Sequence, residues 1–386
     1  MKRLGCLLLI FTLVVTCAVY AYGENAVSRL TLFALNVRKA DCLLLSSGDD
    51  LYMIDTGSAE SWGQVSRFLK ERNITSLKGV ILTHTDADHA GGLDALCASG
   101  LSIGAIYTPV YFTCKRKKHP AVLSSDKYGI PLTFLVSGDT LPLENGEIRV
   151  LGPVVGDDEI ENNNSLVLLV SGAGGSMLLT GDMEFPEEKT LLDANLIPKV
   201  DLLKIANHGE SDATSEALLR AAAPSAAVIS TNSDDEPDTP SGRVLKLLNR
   251  DSVRMACTQN ASSGVLAVLE NGQVTLEPVQ SDPLPDAPRD VRLTGKDNIR
   301  DTVSLMNTGD GQADISGWYL LSERGGEIFV FPAGTVLPAG GSVTVSTLTS
   351  DEAGHFVWQE KNVWHNKKDD RALLYDAYGR LIDVLD

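Results

Sequence analysis

Gly79-Val80-Ile81-Leu82-Thr83-His84-Thr85-Asp86-Ala87-Asp88-His89-Ala90-Gly91-Gly92 is the stretch on which the reading of this chain turns. Its first residues form an apolar run of the kind a buried strand needs, and Leu93 to Ala98 behind it reads as a helix. Between them, two imidazoles and two carboxylates fall within six residues at a strand-to-helix junction. His84 and Asp86 are two apart, so in extended backbone they project to one side. Asp88 and His89 open the helix and can turn toward the same centre. Gly91 and Gly92 carry no side chain, which lets the helix sit close behind the site. Imidazole nitrogen mixed with hard carboxylate oxygen suits a first-row divalent ion such as zinc or manganese. The plainer reading is an acidic, solvated loop with two incidental histidines. Four ligand groups in six residues at a strand end favour the metal.

The chain has 386 residues and a net charge of −18, from 33 Lys+Arg against 51 Asp+Glu. So acidic a protein does not attract polyanions over its whole surface, and a nucleic-acid or phosphate partner has to be drawn by metal ions or a local patch. One basic run exists, Lys115-Arg116-Lys117-Lys118-His119, readable as a phosphodiester clamp or as a solvated loop. At the start, Lys2 and Arg3 precede an apolar core from Leu7 to Val19 and the small residues Ala21 and Gly23. This is the pattern of a signal peptide over residues 1–23, and it predicts a protein that is secreted or associated with the cell surface. Beyond it, no stretch approaches the ~20 apolar residues of a membrane span. Cys42, Cys97, Cys114 and Cys257 lack the paired spacing of a zinc knuckle. A disulfide among them is permitted outside the cytosol, but the spacing does not establish one.

Further strand-like runs end in polar residues. Leu51 to Ile54 leads into Asp55-Thr56-Gly57, Ser176 to Thr180 into Gly181-Asp182, and Leu202 to Ala206 into Asn207-His208-Gly209. A segment from Met255 to Glu277 reads as a hairpin with its turn at Asn271-Gly272. Residues 280–288 are rich in Pro and Asp and read as a linker. It separates a domain over 24–279 from a second over 289–386, in which short strands and Gly and Pro turns predict an all-β sandwich.

His-x-Asp-x-Asp-His-x-Gly-Gly resembles the signature of the metallo-β-lactamase fold, with Asp86 where many members carry a second His. From about Arg29 to Pro278 the chain most resembles the hydrolase domain of the competence protein ComEC and its stand-alone secreted relatives. The resemblance implies an α/β fold, a four-layer αββα sandwich with its site at one edge of two packed sheets. It implies two divalent ions, Zn or Mn, held by His84, Asp86, Asp88, His89, Asp182 and His208, with Asp182 bridging. Asp88 is then also the catalytic residue, orienting the attacking water. Asp55 supports a His ligand by hydrogen bonding, or simply closes its strand in a turn. Asn164 and Ser165 match a family segment suited to holding a substrate oxygen. The implied function is an exported metal-dependent hydrolase, a phosphodiesterase or nuclease acting on nucleic acid or a cell-surface phosphate ester.

The departures are as informative. Asn36-Val37-Arg38-Lys39-Ala40-Asp41 stands where the family usually has Asp-Val-Gly-Gln-Gly-Asp; Arg38 and Lys39 are then phosphate-facing cations or a solvated turn. No third His accompanies Asn162-Asn163-Asn164-Ser165. Asn207 replaces the first His of His-His-Gly, and Asn232 is followed by acidic residues instead of His-Pro. These losses support an alternative, a non-catalytic binding protein with a structural or vestigial metal site. Residues 289–386 resemble the lamin-tail domain, an immunoglobulin-like β-sandwich of unknown partner, in which Trp318 reads as core.

Overall fold

Alternation in the strand Arg29–Leu35 sets the layering. Leu30, Leu32 and Ala34 enter one buried cluster, while Phe33 and Leu35 enter another. Leu45 and Ile54 against Leu44 and Met53 repeat the split in the next two strands. Strands buried on both faces belong in the middle of a layered domain. In the computed structural model, which describes residues 29–284, 290–348, 354–358 and 363–386, they form an eight-stranded sheet. Its order is Gln273–Val279, Gly264–Glu270, Arg29–Leu35, Leu43–Ser47, Asp50–Ile54, Gly79–Ile81, Ile106–Pro109 and Leu132–Leu135. The first five are antiparallel, and pairing turns parallel from Asp50–Ile54 onward. The expected leader lies outside the described residues, as do residues 285–288 of the expected linker.

The second sheet has seven strands, in the order Arg254–Cys257, Ala226–Ile229, Leu202–Lys204, Gly175–Leu179, Val167–Gly172, Gly146–Gly152 and Thr140–Leu143. Its first four are parallel. Leu168, Val170, Leu202 and Val228 face the first sheet, and Val167, Leu203, Ala227 and Ile229 face outward. Helices complete the outer layers. Trp62–Glu71 and Leu93–Ala98 cover the first sheet, with Trp62, Val65, Phe68 and Leu69 on one buried stripe. Phe185–Asp193, Glu216–Ala222 and Gly242–Arg250 cover the second. The result is a four-layer helix–sheet–sheet–helix sandwich. Met255, expected in the closing hairpin, belongs instead to the edge strand of the second sheet. The hairpin proper joins Gly264–Glu270 to Gln273–Val279 through Asn271 and Gly272, both at positive φ (53° and 73°), as a tight right-twisted turn requires.

Apart from a short parallel pair, Ser76–Leu77 with Ser102–Ile103, the remaining strands make an all-β unit of two four-stranded sheets and a two-stranded ribbon. Trp318, Leu320, Phe331, Trp358, Trp364 and Leu374 fill its core. Its sheet Ile328–Val330, Tyr319–Ser322, Ala372–Tyr375 and Leu381–Leu385 is also buried on its other face. There Tyr319, Leu321, Ile328 and Val330 join the cluster around Trp62 and Phe68. A methyl on Gly63 would lie 2.4 Å from the Cα of Gly379, so backbone meets backbone at this seam. Ser66 Oγ donates to the carbonyl of Ala377 across it (3.0 Å). The β unit is therefore seated on the helices of the first layer, each fully buried apolar side chain contributing about 1.5–3 kcal/mol. Among the described residues no helix is long and apolar enough to cross a membrane, and Cys42, Cys97, Cys114 and Cys257 are free thiols.

One buried carboxyl works against the fold. Glu187, in the helix Phe185–Asp193, is 4 % exposed and neither of its oxygens has a hydrogen-bond partner. Burial raises its pKa well above the ordinary value. A carboxyl whose pKa is raised in the folded state stabilises only below its unfolded value, and that contribution disappears as pH rises through the folded value. Glu187→Met should therefore stabilise the protein by about 1–3 kcal/mol at pH 8 and by much less at pH 4.5. Urea unfolding at the two pH values tests this; an equal shift at both would refute a titrating Glu187.

Candidate metal centre

Both parallel halves release their strands at the same edge of the sandwich. Gly79–Ile81 runs into Thr83 and His84, Gly175–Leu179 into Gly181 and Asp182, and Leu202–Lys204 into Asn207 and His208. The two sheets are tied there by Leu166 N–H on the Thr83 carbonyl (2.8 Å), and within the second sheet Asn207 N–H on the Gly181 carbonyl (3.2 Å) joins neighbouring strand ends. The short helix Ala87–Ala90 then brings His89 inward. Close packing behind it requires glycine: a Cβ on Gly92 would sit 2.3 Å from the Thr56 carbonyl oxygen, and one on Gly91 2.8 Å from Ala59 N. On the opposite side, Asn207 and His208 both take left-handed backbone (φ 46° and 52°). For residues with a Cβ this costs about 1–2 kcal/mol each. The strained turn aims the His208 ring at Asp182.

Asp88, His89, Asp182 and His208 come together so closely that one ligand atom of each lies within 4.8 Å of the others. Asp182 Oδ2 is 3.1 Å from His89 Nε2 and 3.2 Å from His208 Nε2; Asp88 Oδ2 is 3.4 Å from His208 Nε2. His84 stacks beside His89, ring centres 4.1 Å apart, and its Nε2 is 3.7 Å from Asp86 Oδ2. The six residues expected as ligands thus divide into a tight group of four and a looser pair, His84 with the half-exposed Asp86.

Hydrogen bonding fixes which nitrogen of each ring is available. His89 Nδ1 donates to Asp55 Oδ2 (2.9 Å), and His208 Nδ1 to the Ser230 carbonyl (2.9 Å). His84 Nδ1 faces Thr83 Oγ1 (3.1 Å), which itself donates to Asp55 (2.7 Å). With the proton on Nδ1, each Nε2 carries a lone pair. All three Nε2 atoms are buried and without a hydrogen-bond partner, as is Asp182 Oδ1. Unpartnered buried acceptors facing one another suit a divalent cation, and the mixed nitrogen and oxygen set suits a first-row metal.

Charge leads to the same point. Burial pushes the His208 imidazole down, but the Asp182 and Asp88 carboxylates outweigh it and raise the group to about 9. Burial likewise opposes His89, and Asp182 and Asp55 carry it well above the usual range. Burial would raise Asp182, yet His208 and His89 hold it well below the carboxylate range. His84, lowered to about 3 by burial and by His89, stays neutral. The pocket around Asp182 demands positive charge, and divalent ions supply it without protonating the rings.

Two expected roles change. Asn164 and Ser165, expected at a substrate oxygen, are wholly buried. Asn164 Oδ1 accepts from Asp157 N–H and its Nδ2 donates to the Asp157 carbonyl, so the amide holds its own loop closed. Ser165 Oγ accepts from Asp182 N–H (3.1 Å) and so props the carboxylate from beneath. Asp55 lies behind His89, its Oδ1 also accepting from Thr83 N–H (2.7 Å).

Two residues escaped sequence reading. Lys204 is completely buried and ion-paired with the equally buried Asp41, whose carboxylate stands 4.0 Å from Nδ1 of both His89 and His208. Burial alone would lower the ammonium; Asp41, Asp182 and Asp55 raise it instead. Asp41, Asp55 and His89 form a second close group, but here the Lys204 ammonium already supplies the cation. Its signal was a lysine inside the apolar run Leu202 to Ala206. Glu161 accepts from Thr85 N–H (3.0 Å), Thr85 Oγ1 (2.5 Å) and Thr113 N–H (2.6 Å), binding the central loop to the segment after Ile106–Pro109. Within Asp157 to Glu161 nothing local distinguishes it from a solvated acid.

The Metallo-beta-lactamase superfamily model matches residues 35–233, and the Lamin Tail Domain model matches residues 270–386. ComE operon protein 3 of Bacillus subtilis (strain 168) is 28% identical over 246 residues, covering 57% of this chain and 32% of that protein. Recombination protein 2 of Haemophilus influenzae is 29% identical over 231 residues, 58% of this chain and 27% of its own. The chain thus spans about a third or less of the length of these curated relatives. Among solved structures, the metallo-beta-lactamase fold protein YhfI from Bacillus subtilis overlaps 62% of this chain and 99% of its own. Its TM-score is 0.43 and its identity 13%.

Removing one member of a buried ion pair leaves an uncompensated charge. Lys204→Met should destabilise the protein by about 3–5 kcal/mol, and the added change Asp41→Asn should recover part of the loss. Urea unfolding of the single and double variants checks it, and an unchanged midpoint for Lys204→Met would refute the pairing.

Proposed function

The chain belongs to the metallo-beta-lactamase superfamily, with a lamin tail domain behind it, and on that footing we propose a metal-dependent phosphodiesterase or nuclease. The observation that carries the proposal is the set of three buried, unpartnered Nε2 atoms gathered around Asp182. Asp88, His89, Asp182 and His208 would hold one divalent ion, and His84 and Asp86 beside them would offer ligands for a second. Such ions, zinc or manganese, lower the pKa of a water and neutralise charge that develops on a phosphate oxygen.

The chain's own groups do the rest. Asp88 is the one carboxylate of the tight group that solvent reaches, its side chain 35% exposed. Burial would raise its pKa, but the neighbouring His208 and His89 imidazoles hold it at about 2, so it is anionic at neutral pH. It is placed to accept a hydrogen bond from the attacking water and align it. Water adds across the ester: its oxygen bonds to phosphorus, the P–O bond to the leaving group breaks, and a proton passes to the departing oxygen. The relatives' names, among them Competence protein ComA of Neisseria gonorrhoeae, speak of competence and recombination, which favours nucleic acid as the phosphodiester. An exported location follows from the apolar leader pattern of residues 1–23.

Asn164 supports a second reading. Where many relatives supply a third His, this chain has an amide turned onto Asp157, so the His84–Asp86 pair gains no further side-chain ligand there. A protein holding one structural metal, with the tail domain binding a partner, would look the same at this position.

Metal content of the purified protein and hydrolysis of bis-p-nitrophenyl phosphate with Mn²⁺ or Zn²⁺ separate the two. The phosphodiesterase reading expects about two ions per chain. It also expects at least ~100-fold loss of turnover in Asp88→Ala and His208→Ala, on the scale of losing a positioned catalytic group. One ion or none, with no turnover under any metal, would leave only the binding protein.

A further inference from the structure

The order of strands in the first sheet places the central loop between two flanks. The loop joining Arg29–Leu35 to Leu43–Ser47 lies on one side, and the segment following Ile106–Pro109 on the other. Both are anchored to the centre: Asp41 N–H donates to the Asp88 carbonyl (3.1 Å), and Thr113 N–H to Glu161, which also holds Thr85. The flanks differ in charge.

On the first, both loop cations are occupied. Arg38 makes a two-pronged ion pair with Asp235, and Lys39 Nζ lies 2.5 Å from Glu210 and 2.5 Å from Glu236. The loops facing them carry Glu210, Asp212, Asp234, Asp235, Glu236 and Asp238, and Arg243 is bonded to the carbonyls of Glu210, Ser211, Ala213 and Thr214, so three cations meet six carboxylates and the balance is 3 − 6 = −3. On the second flank Lys115, Arg116, Lys117 and Lys118 are exposed. None of them enters an ion pair among the described residues; Arg116 rests on the Phe134 ring, 4.6 Å from its centre. The loop facing them offers Asp157, Asp158, Glu159 and Glu161, a balance of 4 − 4 = 0. Asp157 is turned inward, accepting from the N–H groups of Glu159 and Ile160 and from Asn163. Glu161 beneath is saturated by its three donors.

A phosphodiester polymer carries a charge at every unit and follows free cations. From this asymmetry we infer that the enzyme acts on the ends of linear phosphodiester polymers, not on their interiors; the inference rests on the phosphodiesterase reading above. The strand approaches along Lys115 to Lys118, reaches the metal centre, and cannot continue past the carboxylates around Lys39. At physiological salt, charge acts over about 8 Å, so this acidic lip repels a strand that comes that close. The bond presented for cleavage is then terminal or nearly so. Arg38 and Lys39 act by holding that lip in place, and no phosphate need reach them.

The test compares a single-stranded DNA oligonucleotide in linear form with the same sequence closed into a circle, on the full chain with Mn²⁺. Bis-p-nitrophenyl phosphate serves as a reference without polymer charge. The expected result is release of mononucleotides or very short products from the linear strand, with the circle cut at least ~10-fold more slowly. Replacing the lip by Asp235→Asn with Glu236→Gln should raise circle cleavage relative to bis-p-nitrophenyl phosphate. The charge reversal Lys117→Glu with Lys118→Glu should lower linear-strand turnover relative to that same reference. Equal rates on circle and line, or mid-chain products, overturn the inference, and so does turnover of bis-p-nitrophenyl phosphate alone. No turnover of any substrate would instead remove the phosphodiesterase reading and this inference with it.

Discussion

Uncompensated negative charge in a dry place is the constraint around which this domain is built. Asp41, Asp55 and Asp182 are each at most 3 % exposed, and Asp88 joins them at the mouth. Against these four carboxylates the sequence sets a single permanent cation at the centre, Lys204. Burying an ion without compensation costs several kcal/mol, so the remaining charge has to be met by protonated imidazoles or by bound metal. The raised pKa values of His89 and His208 register that demand. Every other feature of the site serves to place acceptors around it.

The demand also orders the roles of the four buried or half-buried acids. Asp182 and Asp88 face the imidazole Nε2 atoms and so are placed to ligate a cation. Asp55 faces an Nδ1 and two donors of Thr83, which leaves it to orient His89. Asp41 faces Lys204 and makes a neutral plug under the floor. One residue type takes three different tasks because each carboxylate meets a different partner. Removing a single partner would redistribute charge through all of them, as expected for a closely coupled group.

The flanks show the same logic at the surface. Arg38 and Lys39, read from sequence either as phosphate-facing cations or as a solvated turn, form a turn, exposed at Arg38, that is ion-paired across to the loops after His208 and Ile229. Acidic residues in place of His-Pro thus have a structural consequence, the closure of one side of the mouth. The sheet of the tail domain is packed on the helices that back the central motif.

The central motif and the all-β character of the tail were legible from the chain because each rests on local regularities, whereas the layered architecture was implied by the family resemblance. Turn residues marked Asn271-Gly272, and the spacing of His84 to His89 marked a ligand cluster. The partners of single side chains were not legible. Asn164 looked available to substrate, yet its amide is consumed within its own loop; Lys204 looked like an interruption in a strand, yet it balances Asp41, 163 residues away (204 − 41). A hydrogen bond or ion pair between distant residues depends on where the two sheets meet and on which face each strand end presents. Sequence by itself determined which residues can ligate, bury or turn. Only the tertiary structure decided which of them meet, because burial makes each charge depend on neighbours that the chain order does not reveal.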